Sequence, residues 1–195
     1  MASGSLIARW PLLAAMAFEG MLIPLALLLA LVVGVQPWTE FALTGSAILI
    51  ALAATAPLIL MLIVLSRLHL PACRQLEDWI CNVLSRLFAH ARPGAIVLVA
   101  LLAGFGEELL FRGVLQAWLA LHLDAAVAIV VVALLFGMAH WVNTLYLVVA
   151  TGMGLYLGVI YHWTGSLLVV SLIHALYDWV AIHFYLRRMR ATTAA

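Results

Sequence analysis

Apolar residues in this chain fall into six long blocks: Leu12 to Val35, Phe41 to Leu65, Ala95 to Trp118, Ala125 to Val142, Leu145 to Tyr161 and Ser166 to Leu186. Polar or turn residues divide them at Gln36-Pro37, Arg67 to Arg92, His122 to Asp124, Asn143-Thr144 and His162 to Gly165. A bilayer crossing takes about 20 apolar residues. The pattern therefore predicts an all-α fold, a polytopic transmembrane helical bundle of about six spans. The fourth and fifth blocks are short for full crossings. The segment of about 71–91 differs from the rest. In it Leu76, Trp79, Ile80, Val83, Leu84, Leu87 and Phe88 recur at the spacing of one helical face, with Arg74, Glu77, Asp78, Asn82 and Arg86 off that stripe. This predicts one amphipathic interfacial helix, opened near Pro71 and broken by Pro93-Gly94, which either lies among the headgroups or packs against the bundle.

Composition narrows the class. Of the 195 residues, 68% are hydrophobic and 9% charged, which excludes a soluble domain and leaves room for a single integral membrane domain over 1–195. The net charge is +1 and no basic tract occurs, so a nucleic-acid partner is excluded. Cys73 and Cys81 match no redox or zinc spacing and read as spare thiols. The first block is too long for a signal peptide and carries Glu19, so it reads as a retained span. All the basic residues are arginines. They concentrate at Arg67 to Arg92 and at Arg187, Arg188 and Arg190, which by the positive-inside rule puts that segment and both termini in the cytoplasm. The Arg-only, Ala-rich usage points to a bacterium and its inner membrane.

Charges inside the spans carry the chemistry. A Glu or Arg at mid-span opposes insertion by about 2.5–3.5 kcal/mol, and the third block holds Glu107, Glu108 and Arg112. Glu108 and Arg112 are four apart on one face and can pair. Glu107 is turned about 100° away and needs a partner from another span or from water. Candidates are His140, and His174 with Asp178, which are again four apart. Three readings stay open at this point: a carboxylate and imidazole that activate water for amide hydrolysis, a zinc site of one Glu and two His, or a proton path. The short zinc-protease motif HExxH is absent.

The segment Gly106 to Gly113, Gly-Glu-Glu-Leu-Leu-Phe-Arg-Gly, resembles the EExxxR motif of the CPBP family of membrane proteases, which includes the type II CAAX prenyl endopeptidases. Phe136 to His140 resembles the family's FxxxH and His174 to Asp178 its HxxxN/D, so the likeness covers about 95–179. The resemblance implies an intramembrane endopeptidase of the glutamate type, with no metal cofactor and a membrane-associated protein or peptide as substrate. By position, Glu107 and His140 would activate water, His174 and residue 178 would stabilise the oxyanion, and Arg112 would hold Glu108. Asp178 stands where the prenyl endopeptidases have Asn, and an ionised Asp donates no hydrogen bond. It would then be protonated or merely orient His174. The alternatives are a zinc-dependent form of the same protease, a non-proteolytic immunity or scaffold protein, and a proton-coupled transporter.

Other polar residues have plainer expectations. Glu19 reads as a carboxylate paired or facing water, His162 and His183 as interfacial anchors, and His69, His90 and His122 as solvated. Gly104, Gly106, Gly152, Gly154 and Gly158 read as sites of close helix contact.

Overall fold

The computed structural model describes residues 10–37, 43–88 and 91–193. Arg9, Phe41 at the expected start of the second block, and His90 lie outside them. The described residues are helical without strands: α1 (Trp10–Val33), α2 (Gly45–Arg67), α3 (Pro71–Phe88), α4 (from Pro93 to Ala120), α5 (Ala125–Ala139), α6 (Thr144–Thr164) and α7 (Leu167–Thr193). Five of these are long and apolar enough to cross a membrane, and many of their large side chains, such as Leu28, Leu31 and Val32, face outward. Apolar side chains on an outer surface suit lipid as solvent. The chain is an integral membrane protein built as a helical bundle.

The remaining apolar helix, α5, has 15 residues, about 22 Å at 1.5 Å per residue. It therefore stops short of a full crossing. Its end is chemically defined. His140 takes the C-cap position with φ −98° and ψ 13°, and its ring Nδ1 lies 2.8 Å from the Phe136 carbonyl. Three residues on, the Asn143 side chain accepts the Tyr146 amide at 2.8 Å and starts α6. The fourth block, read as extending to Val142, thus ends three residues earlier. This early stop makes His140 the residue that caps the helix.

Helix α4 is composite. Pro93 opens it, and an eight-residue π-helical stretch, Leu109–Gln116, lies within it. Side-chain periodicity gave no warning of this stretch. Such stretches are uncommon and recur at functional sites. This one carries Arg112 and Gln116, whose side chains donate to the carbonyls of Gly154 and Gly158 on α6, each at 2.9 Å.

Glycines set how closely the helices approach. A Cβ on Gly104 would lie 2.7 Å from the Ala175 amide nitrogen of α7, one on Gly106 2.8 Å from the Glu19 carbonyl of α1, and one on Gly154 3.0 Å from Ala133 of α5. A Cβ on Gly158 would lie 2.9 Å from Gln116 Oε1. Gly152 departs from the expectation, since nothing lies within 4 Å of its Cβ position. Gly137 makes the tightest approach, with a Cβ position that overlaps Thr151 and lies 3.0 Å from the Leu147 carbonyl.

The amphipathic helix α3 packs against the bundle. Its Leu84 and Phe88 form one cluster with Leu12, Leu62, Ile96 and Tyr185, from the ends of α1, α2, α4 and α7 that meet on one side of the molecule. Glu77 pairs with Arg188 of α7 at 2.8 Å, a partly exposed contact of small energetic weight. Cys73 and Cys81 on this helix are both free thiols. Burial and the adjacent Glu77 and Asp78 push the Cys81 thiol up, which keeps it protonated and poorly nucleophilic.

Glycine substitutions separate contact from chemistry. Gly137→Ala forces a side chain into Thr151 and should destabilise by about 1–3 kcal/mol, whereas Gly152→Ala should be neutral or stabilise by up to about 1 kcal/mol. Thermal unfolding in detergent measures both. Equal loss in the two variants would contradict the packing described.

Candidate active site

Glu107 and Glu108 close the α-helical part of α4, and both face the bundle interior. Glu108 and Arg112 have no exposed surface, while Glu107 retains 8%. Arg112 Nη1 donates to Glu108 Oε1 at 2.8 Å, as the spacing of four suggests. Its Nη2 donates to the Gly154 carbonyl, and its guanidinium carbon lies 4.7 Å from the centre of the Phe136 ring. The cation is thus held by a carboxylate, a carbonyl and an aromatic face at once.

His174 comes from α7 to the same carboxylate. Its Nδ1 lies 2.8 Å from Glu108 Oε1, the oxygen that Arg112 also uses. An ionised carboxylate only accepts, so Nδ1 carries the proton here. The other ring nitrogen, Nε2, lies 3.6 Å from Asp178 Oδ2. The expected His174–Asp178 pairing is present, but the tighter partner of His174 is Glu108, from a helix 66 residues earlier. Spacing within one helix gives no signal for such a contact.

Glu107 finds its partner across helices, as required. His140 Nε2 lies 3.4 Å from Glu107 Oε2, an oxygen with no hydrogen bond inside the protein. The carbonyl of Phe136 can only accept, so His140 Nδ1 carries a proton and Nε2 turns its lone pair or second proton toward Glu107. Carboxylate and imidazole therefore face each other at a distance that suits one shared proton or a bridging water.

Phe136 joins the two halves of the site. It stacks on His140 at 4.4 Å, meets His174 edge-on at 5.9 Å and Phe111 at 5.0 Å, and is almost fully buried. Its position four residues before His140 was a sequence signal, but its role as the floor under three charged groups was not. Glu19 of α1 also reaches this region. It interacts electrostatically with Glu107, Asp178, His174 and His140, and its buried Oε2 has no hydrogen-bond partner. Of the two expectations for Glu19, paired or facing water, that oxygen does not meet the first among the described residues. Among the described residues, no three His, Cys, Asp or Glu side chains converge as a set able to hold a metal ion.

Residues 89–180 match the family model described as type II CAAX prenyl endopeptidase Rce1-like. The match spans just under half of the chain. It contains Glu107, Glu108, Arg112, His140, His174 and Asp178, the six residues whose side chains the bundle brings together. Over 94 residues the chain is also 33% identical to the uncharacterized protein YpbD of Bacillus subtilis (strain 168), an overlap covering 48% of this chain and 47% of that relative. The chain thus spans about half the length of the curated relative it matches. No solved structure matches it.

Within the matched segment the Glu108–Arg112 contact has a clear energetic role. Removing one member of a buried pair leaves the other charge uncompensated, at about 3–5 kcal/mol. Arg112→Met should therefore lower stability by about that amount, seen as a large drop in unfolding temperature or loss of folded protein on extraction. A variant as stable as the parent would show that Glu108 needs no cation.

Proposed function

We propose that this protein is an intramembrane endopeptidase that hydrolyses a peptide bond of a membrane-associated protein or peptide with water activated by Glu107 and His140. The observation that carries the reading is the difference between two adjacent carboxylates. Glu108 accepts hydrogen bonds from Arg112 and His174, whereas Glu107 pairs with His140 at the longer distance of 3.4 Å, through an oxygen that accepts no hydrogen bond among the described residues. A water between them gives a proton to the Glu107–His140 pair as its oxygen bonds to the substrate carbonyl carbon. The same pair returns that proton to the amide nitrogen as the C–N bond breaks. His174 stands on the oxyanion side, and Asp178, 3.6 Å from its Nε2, orients it. The likeness of residues 89–180 to the type II CAAX prenyl endopeptidase Rce1-like family supports peptidase chemistry.

The mechanism proposed is metal-free and of the glutamate type. Its support is the donor set. Zinc held by Glu107, His140 and His174 would need a free nitrogen on His174, yet both of that ring's nitrogens face carboxylates, at 2.8 and 3.6 Å. A purely structural or immunity role is disfavoured by cost, because a bundle with no chemistry to perform gains stability by replacing Glu107 and His140 with apolar residues. The inner membrane of a bacterium is the proposed location. Both termini are placed in the cytoplasm, in keeping with the arginines at that end of the bundle.

Purified protein with a library of membrane-anchored peptides provides the test. Cleavage should fall at least about 10²-fold in Glu107→Ala and in His140→Ala, and a chelator should leave the parent rate unchanged. Undiminished cleavage by either variant would refute the catalytic assignment. Chelator-sensitive cleavage with stoichiometric zinc would refute the metal-free mechanism.

A further inference from the structure

The peptidase reading leaves one chemical requirement unmet. A tetrahedral intermediate carries a full negative charge on the former carbonyl oxygen and needs neutral or cationic donors aimed at it. Asp178 faces His174 and, when ionised, only accepts, so the oxyanion side holds one candidate donor fewer than an asparagine would supply there.

Tyr146 is placed to fill that gap. It sits in the first turn of α6, where its amide is fixed by the Asn143 side chain at 2.8 Å. Its ring meets His140 edge-on, with centroids 6.1 Å apart and planes at 86°. Trp79 of α3 also contacts the ring, with centroids 6.0 Å apart. Asp178 and Tyr146 line the same cavity of about 270 Å³, and the two interact electrostatically, as do Tyr146 and Glu107. The phenol makes no hydrogen bond within the described residues. Tyr156, ten residues on, behaves as a structural tyrosine does and donates to the Ala54 carbonyl at 2.8 Å. A half-buried tyrosine ordinarily finds an internal partner. Tyr146 instead lines a cavity that reaches the site at Asp178.

Tyr177 also lines this cavity, but its ring makes no contact with His140. The ring of Tyr146 contacts both His140 and Trp79, which restricts its motion before substrate arrives. Such a donor loses little to reorganisation when charge develops.

We propose that Tyr146 is a further catalytic residue, whose phenol O–H donates a hydrogen bond to the tetrahedral oxyanion in place of the donor that Asp178 does not provide. The inference rests on the peptidase reading. No bond to Tyr146 forms or breaks, and the phenol keeps its proton throughout.

The test is Tyr146→Phe, which retains the ring contacts to His140 and Trp79 and removes only the hydroxyl. Steady-state cleavage of a peptide that the parent processes should show kcat lowered about 10²–10³-fold and KM within about twofold. A phosphonate analogue of that peptide, which carries the tetrahedral anion, should lose affinity by a similar factor, while unfolding temperature stays at the parent value. Unchanged kcat, or unchanged affinity for the phosphonate, overturns the assignment and leaves the peptidase reading standing. A parent protein that cleaves none of the library peptides refutes both.

Discussion

The bundle is organised around one oxygen atom. Glu108 Oε1 accepts from Arg112 Nη1 and from His174 Nδ1, both at 2.8 Å, and none of the three side chains has appreciable exposure. In a medium that cannot solvate charge, a carboxylate with two cationic or polar donors is stable, and each donor alone is not. This contact ties α4 to α7, and the second Arg112 nitrogen extends it to α6 through the Gly154 carbonyl. Gly154 and Gly104 contribute by absence, since a side chain at either would hold the helices too far apart for the polar contacts to close.

That pairing is what frees Glu107. It follows Gly106, where α1 packs within reach of the α4 backbone, and its helical offset from Glu108 directs it away from Arg112. The partner it meets, His140, is the residue that caps α5 after 15 residues. A helix end is costly in a bilayer unless its free backbone groups are satisfied; the His140 ring meets the Phe136 carbonyl at the end of α5, and the Asn143 side chain accepts the Tyr146 amide at the start of α6.

Much of this was legible in the amino-acid pattern. Block lengths gave the helical membrane class, the i to i+4 spacings gave Glu108–Arg112 and His174–Asp178, and the mid-span charges gave the site. The stripe on 71–91 gave an amphipathic helix, though only the structure decided between headgroup and bundle, through Leu84 and Phe88. What stayed hidden shares one property: it depends on contacts between helices. The His174–Glu108 bond, the His140–Tyr146 and Trp79–Tyr146 ring contacts, and the donation from Gln116 to Gly158 join residues with no periodic relation. The π-helical stretch and the open space around Gly152 are backbone matters that side-chain patterns do not encode. Glu19, expected to be paired or to face water, has a buried oxygen that makes no hydrogen bond among the described residues.

The central claim is that adjacent carboxylates have opposite jobs, Glu108 as anchor and Glu107 as a reactive group held at some cost to stability. Thermal unfolding of Glu107→Gln and Glu108→Gln, side by side and without substrate, tests it most directly. Glu108→Gln removes the charge that balances Arg112 and should destabilise by about 3–5 kcal/mol, whereas Glu107→Gln should leave stability unchanged or raise it. Equal losses, or a larger loss in Glu107→Gln, would contradict this division of roles.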